Sequence, residues 1–187
     1  MSVYSNRAGD PEGGPDAYIA AVLSLLGDQE PLDVLAGTAS WCRSLIEPLT
    51  DAQLRTPEGE GKWSVAAVLQ HLADSELVWG LRLRMVLAQD RPVLAGFDQD
   101  LWAERLGYRH ADAGRALSTF AALRESNLAL LRGIPDEDLD RVGLHAERGE
   151  ESVRHMRRLY AGHDLAHRRQ LRRILDSLDL DQPGAYM

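Results

Sequence analysis

The segment from Ser152 to Leu178 constrains this chain more than any other stretch. Laid on a heptad, it places Val153, Met156, Tyr160, His163, His167, Gln170 and Ile174 at successive seam positions of one long helix. The other faces carry Arg154, Arg157, Arg158, Arg168, Arg169, Arg172 and Arg173. A helix this polarised draws its stability from packing, so its seam must be buried against other helices. Two histidines and a glutamine fill slots where leucine or isoleucine is expected. A buried imidazole needs a hydrogen-bond partner or a metal ion, because an unpaired polar group in the core costs free energy. His163 and His167 are four residues apart, one turn along the same face, so both can reach one ion. Spacing alone leaves two readings open: core histidines satisfied by neighbours, or a metal-binding pair. The glutamate of the HExxH form is absent, since Asp164 follows His163.

Composition narrows the class. A chain of 187 residues can bury a sizeable single core, and 44% hydrophobic with 27% charged residues is ordinary for a globular domain. The net charge of −8 argues against a general nucleic-acid binder. Lys62 is the single lysine among 21 basic residues. The arginines around the histidine pair read as a solvated face balancing an acidic chain; the sharper alternative is an anion-attracting rim. Cys42 is the only cysteine, so no intrachain disulfide is possible, and it falls in an apolar helical pattern as a small core residue. The first apolar run, Ala17 to Leu26, lacks a basic flank and is too short to span a membrane. A cytoplasmic protein with no membrane partner is expected.

Residues 1–16, rich in Gly, Pro, Asp and Ser, are expected to form a disordered tail, and residues 17–180 a single domain. A short helix over Tyr18–Leu26 should close at Gly27. A second should run from Pro31 to about Leu49, with Leu35, Cys42 and Leu45 inward. Ser64 is a good N-cap for the next helix, whose stripe runs through Val65, Val68, Leu69, Leu72, Trp79, Leu83 and Val86. His71 borders that stripe and can turn inward. Asp90 to Asp112 reads as one long connection holding Phe97, Trp102 and Tyr108, which suggest a segment folded back as a lid or as closure of the bundle end. Another helix is expected over Ala113–Arg132, with Ala116, Leu117, Phe120, Leu123, Leu128 and Leu131 inward. No alternating strand pattern stands out. The pattern predicts an all-α four-helix bundle with a short extra N-terminal helix and one long crossover loop.

Three stretches, GKWSVAAVLQHLADSE, HAERGEESV and AGHDLAHRRQL, resemble in order and spacing the sequence blocks of the DinB/YfiT-like superfamily. YIAAVLSLLGDQEPLDVL and FDQDLWAERLGY are similar to its members as well, so the resemblance covers Tyr18 to Leu175. It implies a four-helix bundle whose divalent metal is held by His71, His163 and His167. The superfamily includes S-transferases that use bacillithiol and a mycothiol-dependent isomerase. The implied function is therefore a metal-dependent thiol S-transferase joining a low-molecular-weight thiol of bacillithiol or mycothiol type to a small electrophile. A hydrolase using metal-bound water is the alternative, and a non-catalytic metal-binding bundle a third. The resemblance also implies a homodimer.

Three neutral imidazoles leave a dication's charge uncompensated and a coordination position open, as in catalytic zinc sites. Such a site favours the deprotonated form of a bound thiol or water. Zinc and nickel suit histidine donors, and iron and manganese also accept them. Asp74, Asp164 and Gln170 are candidates to orient the imidazoles through their second ring nitrogens, or are surface and capping polarity. His110 lies outside these blocks, His155 should face solvent, and His145 could approach the mouth of the site.

Overall fold

Four long amphipathic helices bury one face each, and Ser64 caps one of them as the sequence predicts. In the computed structural model, residues 14–178 are described. The elements are α1 (Gly14–Leu26), α2 (Pro31–Ile46), α3 (Asp51–Arg55), α4 (Val65–Ala88), β1 (Val93–Leu94), α5 (Gln99–Arg105), α6 (Ala113–Arg132), β2 (Val142–His145), β3 (Gly149–Ser152) and α7 (Val153–Ser177). Ser64 accepts a hydrogen bond from the Ala67 amide at 3.3 Å, Asp112 from Arg115 at 2.7 Å, and Ser152 from His155 at 3.1 Å. Each cap satisfies an amide that the first turn leaves without an intrahelical partner.

The bundle proper is α2, α4, α6 and α7. Helix α6 packs on α4 and α2, and α7 packs on the same two from the other side, so α2 faces α4 across the diagonal. Helix α1 lies against α7, where it comes close because residue 162 is glycine: a Cβ there would fall 2.3 Å from the Val22 carbonyl oxygen.

One charged group sits where all four bundle helices meet. Arg124 of α6 is 2% exposed and uses all five of its N–H donors. Nε and Nη2 donate to Glu76 of α4 at 2.8 and 2.6 Å. Nη1 and Nη2 donate to Asp164 of α7 at 2.6 and 2.9 Å, and Nη1 also reaches the Leu35 carbonyl of α2 at 2.7 Å. Asn127 supports Glu76 from α6, and the Phe120 and Tyr160 rings flank the guanidinium at 4.7 and 4.9 Å.

The structure departs from the sequence reading in several places. A three-stranded sheet exists, ordered β1–β2–β3, with β1 parallel and β3 antiparallel to β2. It is hidden in the sequence because β1 is only two residues long and the buried positions of β2 and β3 are Gly143, His145 and Glu151 rather than an apolar alternation. Gly143 lets β2 approach closely, since a Cβ would meet Leu94 and Val86 within 2.8 Å. The expected loops also hold helices. Thr50 and Gln53 form a capping box that starts α3, and Asp98 caps α5. Helix α2 ends at Ile46, short of Leu49. On α6 the inward residues include Arg124 and Asn127, while Leu123 is only half-buried. Helix α1 begins at Gly14, so residues 14–16 belong to it, and the remainder of the expected tail, 1–13, lies outside the described residues. Among the described residues no helix is long and apolar enough to cross a membrane.

Removing Arg124 strands Glu76 and Asp164 in the core. The Arg124→Met variant is expected to lose about 3–5 kcal/mol of unfolding free energy in urea titrations. A loss below about 1 kcal/mol, the value of a surface ion pair, would show that the cluster does not anchor the bundle.

Candidate metal centre

His71 comes from the second turn of α4, and His163 and His167 from successive turns of α7. All three are buried, at 1%, 8% and 1% exposure. His71 Nε2 lies 3.2 Å from His163 Nε2, which lies 3.1 Å from His167 Nε2. The three donor atoms fall within 4.8 Å of one another. Two nitrogens bound about 2.0–2.1 Å from a tetrahedral ion would stand about 3.3 Å apart, so the His71–His163 and His163–His167 pairs match the spacing a zinc-sized ion needs.

The surroundings favour neutral, lone-pair-bearing imidazoles. Burial pushes the His71 and His163 pKa values well below their ordinary 6.5, and the neighbouring His167 imidazole pushes the same way. Gln170 Oε1 lies 2.7 Å from His167 Nδ1. That contact keeps a proton on Nδ1 and leaves Nε2 facing the other two imidazoles. The Nδ1 atoms of His71 and His163 have no hydrogen-bond partner among the described residues. Ser75 Oγ stands 3.4 Å from His71 Nε2.

The other two orienting candidates act elsewhere. Asp164 grips Arg124, and Asp74 accepts from the Tyr108 hydroxyl at 2.6 Å and from Gln70 at 3.1 Å. Asp164 nevertheless bears on the centre through the backbone, because it fixes the rotation of α7 one residue from His163. Cys42 is fully buried, and burial, with Asp164 adding, pushes its thiol up to about 12, so it is a neutral core group. His110 is exposed and His155 half-buried.

His71 and His163 open onto a cleft of about 690 Å³, counting the part open to solvent. This is within the range of small-molecule sites. His71, His163 and Ser75 lie at one side, and Tyr18, Ile19, Trp79, Phe97 and Leu159 supply apolar wall. Arg82, Gln99, Glu147 and Arg148 add polar groups. Phe97, Gly96 and Gln99 belong to the aromatic connection, which thus borders the cleft as the sequence suggests; its Tyr108 is buried against α4. His145 lines the cleft too, from the end of β2. Sequence reasoning misses Ser75, Arg82 and Trp79 as cleft residues. Ser75 stands four residues after His71, a spacing that could have revealed it.

The sequence profile of the DinB superfamily matches residues 38–171. The chain belongs to the DinB superfamily. It is 29% identical over 146 residues to a Bacillus subtilis protein named "Putative metal-dependent hydrolase YfiT", covering 76% of this chain and 82% of that one. It is 31% identical over 125 residues to "Putative metal-dependent hydrolase OB0782" of Oceanobacillus iheyensis, covering 67% and 72%. A solved structure described as "YfiT from Bacillus subtilis is a probable metal-dependent hydrolase with an unusual four-helix bundle topology" matches with a TM-score of 0.71 at 27% identity, over 79% of this chain and 83% of that one. These likenesses and the three-histidine cluster together support a metal-dependent DinB-superfamily enzyme that uses a divalent ion.

The depressed imidazole pKa values carry a stability signature. Below about 6.5 an unfolded chain protonates these histidines while the folded chain does not, so the unfolded state gains protons and stability falls as pH drops. Thermal melts of chelator-treated protein between about pH 8 and pH 5 should show Tm falling below about 6.5. A His71→Gln/His163→Gln double variant should show a shallower fall; an equal slope would mean that other groups cause it.

Proposed function

We propose that this chain is a metal-dependent thiol S-transferase, with His71, His163 and His167 holding one divalent ion per chain. Zinc or nickel fits the all-imidazole donors best, and iron or manganese is also compatible. The observation that carries the reading is the convergence of three buried histidine donor atoms, two of them on residues that line a cleft with both apolar and polar walls. When bound, the ion supplies a Lewis acid that favours the ionised form of a thiol or of water.

The protein's own groups decide which nucleophile suits the site. Among the described residues, Glu147 is the only carboxylate lining the cleft, and it is exposed. Amide or ester hydrolysis is helped by a positioned group that shuttles protons from water to the leaving group. A thiol, whose ordinary pKa is about 8.5, needs only a modest push to ionise. Trp79, Phe97 and Leu159 offer an electrophile an apolar surface, while Gln170 would hold the His167 ring so that its Nε2 could reach a bound ion. A low-molecular-weight thiol of bacillithiol or mycothiol type and a small electrophile are the proposed substrates. Hydrolysis is the second reading, favoured by the names of the relatives.

Elemental analysis should give one divalent ion per chain. His167→Ala should remove most of it while the helical circular dichroism spectrum persists, and His155→Ala should leave metal content intact. Metal-loaded protein should conjugate bacillithiol or mycothiol to monobromobimane faster than the uncatalysed reaction, and His167→Ala should not. Hydrolysis of p-nitrophenyl esters without thiol dependence would support the second reading. Full metal content with neither activity would oppose both in favour of a non-catalytic bundle.

A further inference from the structure

We propose that His145 is a neutral hydrogen-bond donor that holds an oxygen atom of the substrate, in a carbonyl or carboxylate group, beside the three-histidine centre. This rests on the metal-enzyme reading above and names the ligand chemistry of the same cleft.

His145 ends β2, paired with Leu94 on one side and Gly149 on the other, and is 3% exposed. The chain turns immediately after it, and the Glu147 amide donates to His145 Nδ1 at 3.2 Å. A backbone amide only donates, so Nδ1 must present its lone pair. A neutral imidazole with a bare Nδ1 carries its proton on Nε2. Burial, with the Arg148 and Arg82 guanidinium groups adding and Glu151 opposing, pushes the pKa down to about 4, so the ring is neutral near pH 7.

His145 Nε2 is then a buried N–H donor, and it has no hydrogen-bond partner among the described residues. Such a donor is unfavourable unless something accepts from it. The residue lines the cleft together with His71 and His163, so the acceptor belongs to whatever occupies the cleft. The same tautomer rules out a role as general base, because Nδ1 is engaged by the backbone and Nε2 already bears hydrogen. His145 therefore polarises or orients an oxygen instead of removing a proton. Arg148 is held by Glu151 at 2.5 and 2.9 Å, which largely matches its charge. The ligand thus combines one oxygen acceptor with an apolar portion that rests on Trp79 and Phe97.

Two measurements on zinc-loaded protein test this. Long-range ¹H–¹⁵N correlations on uniformly ¹⁵N-labelled protein should show His145 neutral with its proton on Nε2. Titration with benzoate, an apolar carboxylate, should shift that Nε2–H resonance. By equilibrium dialysis, the benzoate Kd should rise about tenfold in His145→Phe, roughly the value of one hydrogen bond. His145→Gln, whose amide nitrogen can stand near Nε2, should recover part of the loss, and wild-type Tm in both variants would exclude misfolding. The proton on Nδ1, or an unchanged Kd in His145→Phe, would overturn the proposal. Repeating the titration on chelator-treated protein separates the two claims. A wild-type chain that fails to bind zinc defeats the metal reading, while the tautomer and the His145-dependent Kd still decide this one.

Discussion

The guanidinium of Arg124 is the contact on which the rest of the arrangement depends. Its five donors reach α2, α4 and α7 from α6, so one planar group sets the rotation and depth of all four bundle helices. Buried ion pairs of this kind add little net stability compared with apolar packing, but they tolerate few alternative geometries. That specificity matters because Asp164 and Glu76, the carboxylates it grips, share helices with the histidines. With α7 locked at Asp164, His163 and His167 can face only inward. With α4 locked at Glu76, His71, a little over one turn earlier, meets them.

The cleft is then assembled from segments outside the bundle. Helix α1 reaches α7 through the space left by Gly162 and brings Tyr18 and Ile19. The small sheet runs directly into α7, since Ser152 both ends β3 and caps the helix. This places the other end of the hairpin, with His145 and Arg148, over the imidazoles. The connection after α4 contributes Phe97 and is tied down where Arg82 donates to the Ala95 carbonyl at 2.5 Å. The bundle thus fixes the donor atoms, and the added segments shape what can approach them.

Much of this is legible in the sequence because helical periodicity is strong over twenty-residue stretches. The seam of α7 is readable down to the polar slots at 163, 167 and 170. Those same slots point to a polar centre without any knowledge of the fold, and His71 joins them through family resemblance. What stays hidden shares one cause: polar residues in buried positions. Arg124 and Asn127 look like surface residues until Glu76 and Asp164 are seen across from them, so Leu123 takes their place in the expected apolar stripe. The hairpin of β2 and β3 hides for the same reason, as glycine, histidine and glutamate fill its inner face. Asp164, next to His163, is on spacing either a candidate to orient an imidazole or ordinary surface or capping polarity; that it faces the buried arginine is a three-dimensional fact that spacing along the chain does not carry.

The metal centre stands or falls on whether three imidazoles, and no other side chain, hold one ion at the side of an open cleft. X-ray absorption spectroscopy at the metal edge of the purified, metal-loaded protein tests this most directly. Three histidine donors predict multiple-scattering features of three imidazole rings, with light-atom donors completing the shell. A sulfur donor without added thiol, a fourth imidazole, or a shell of oxygen donors alone would contradict it.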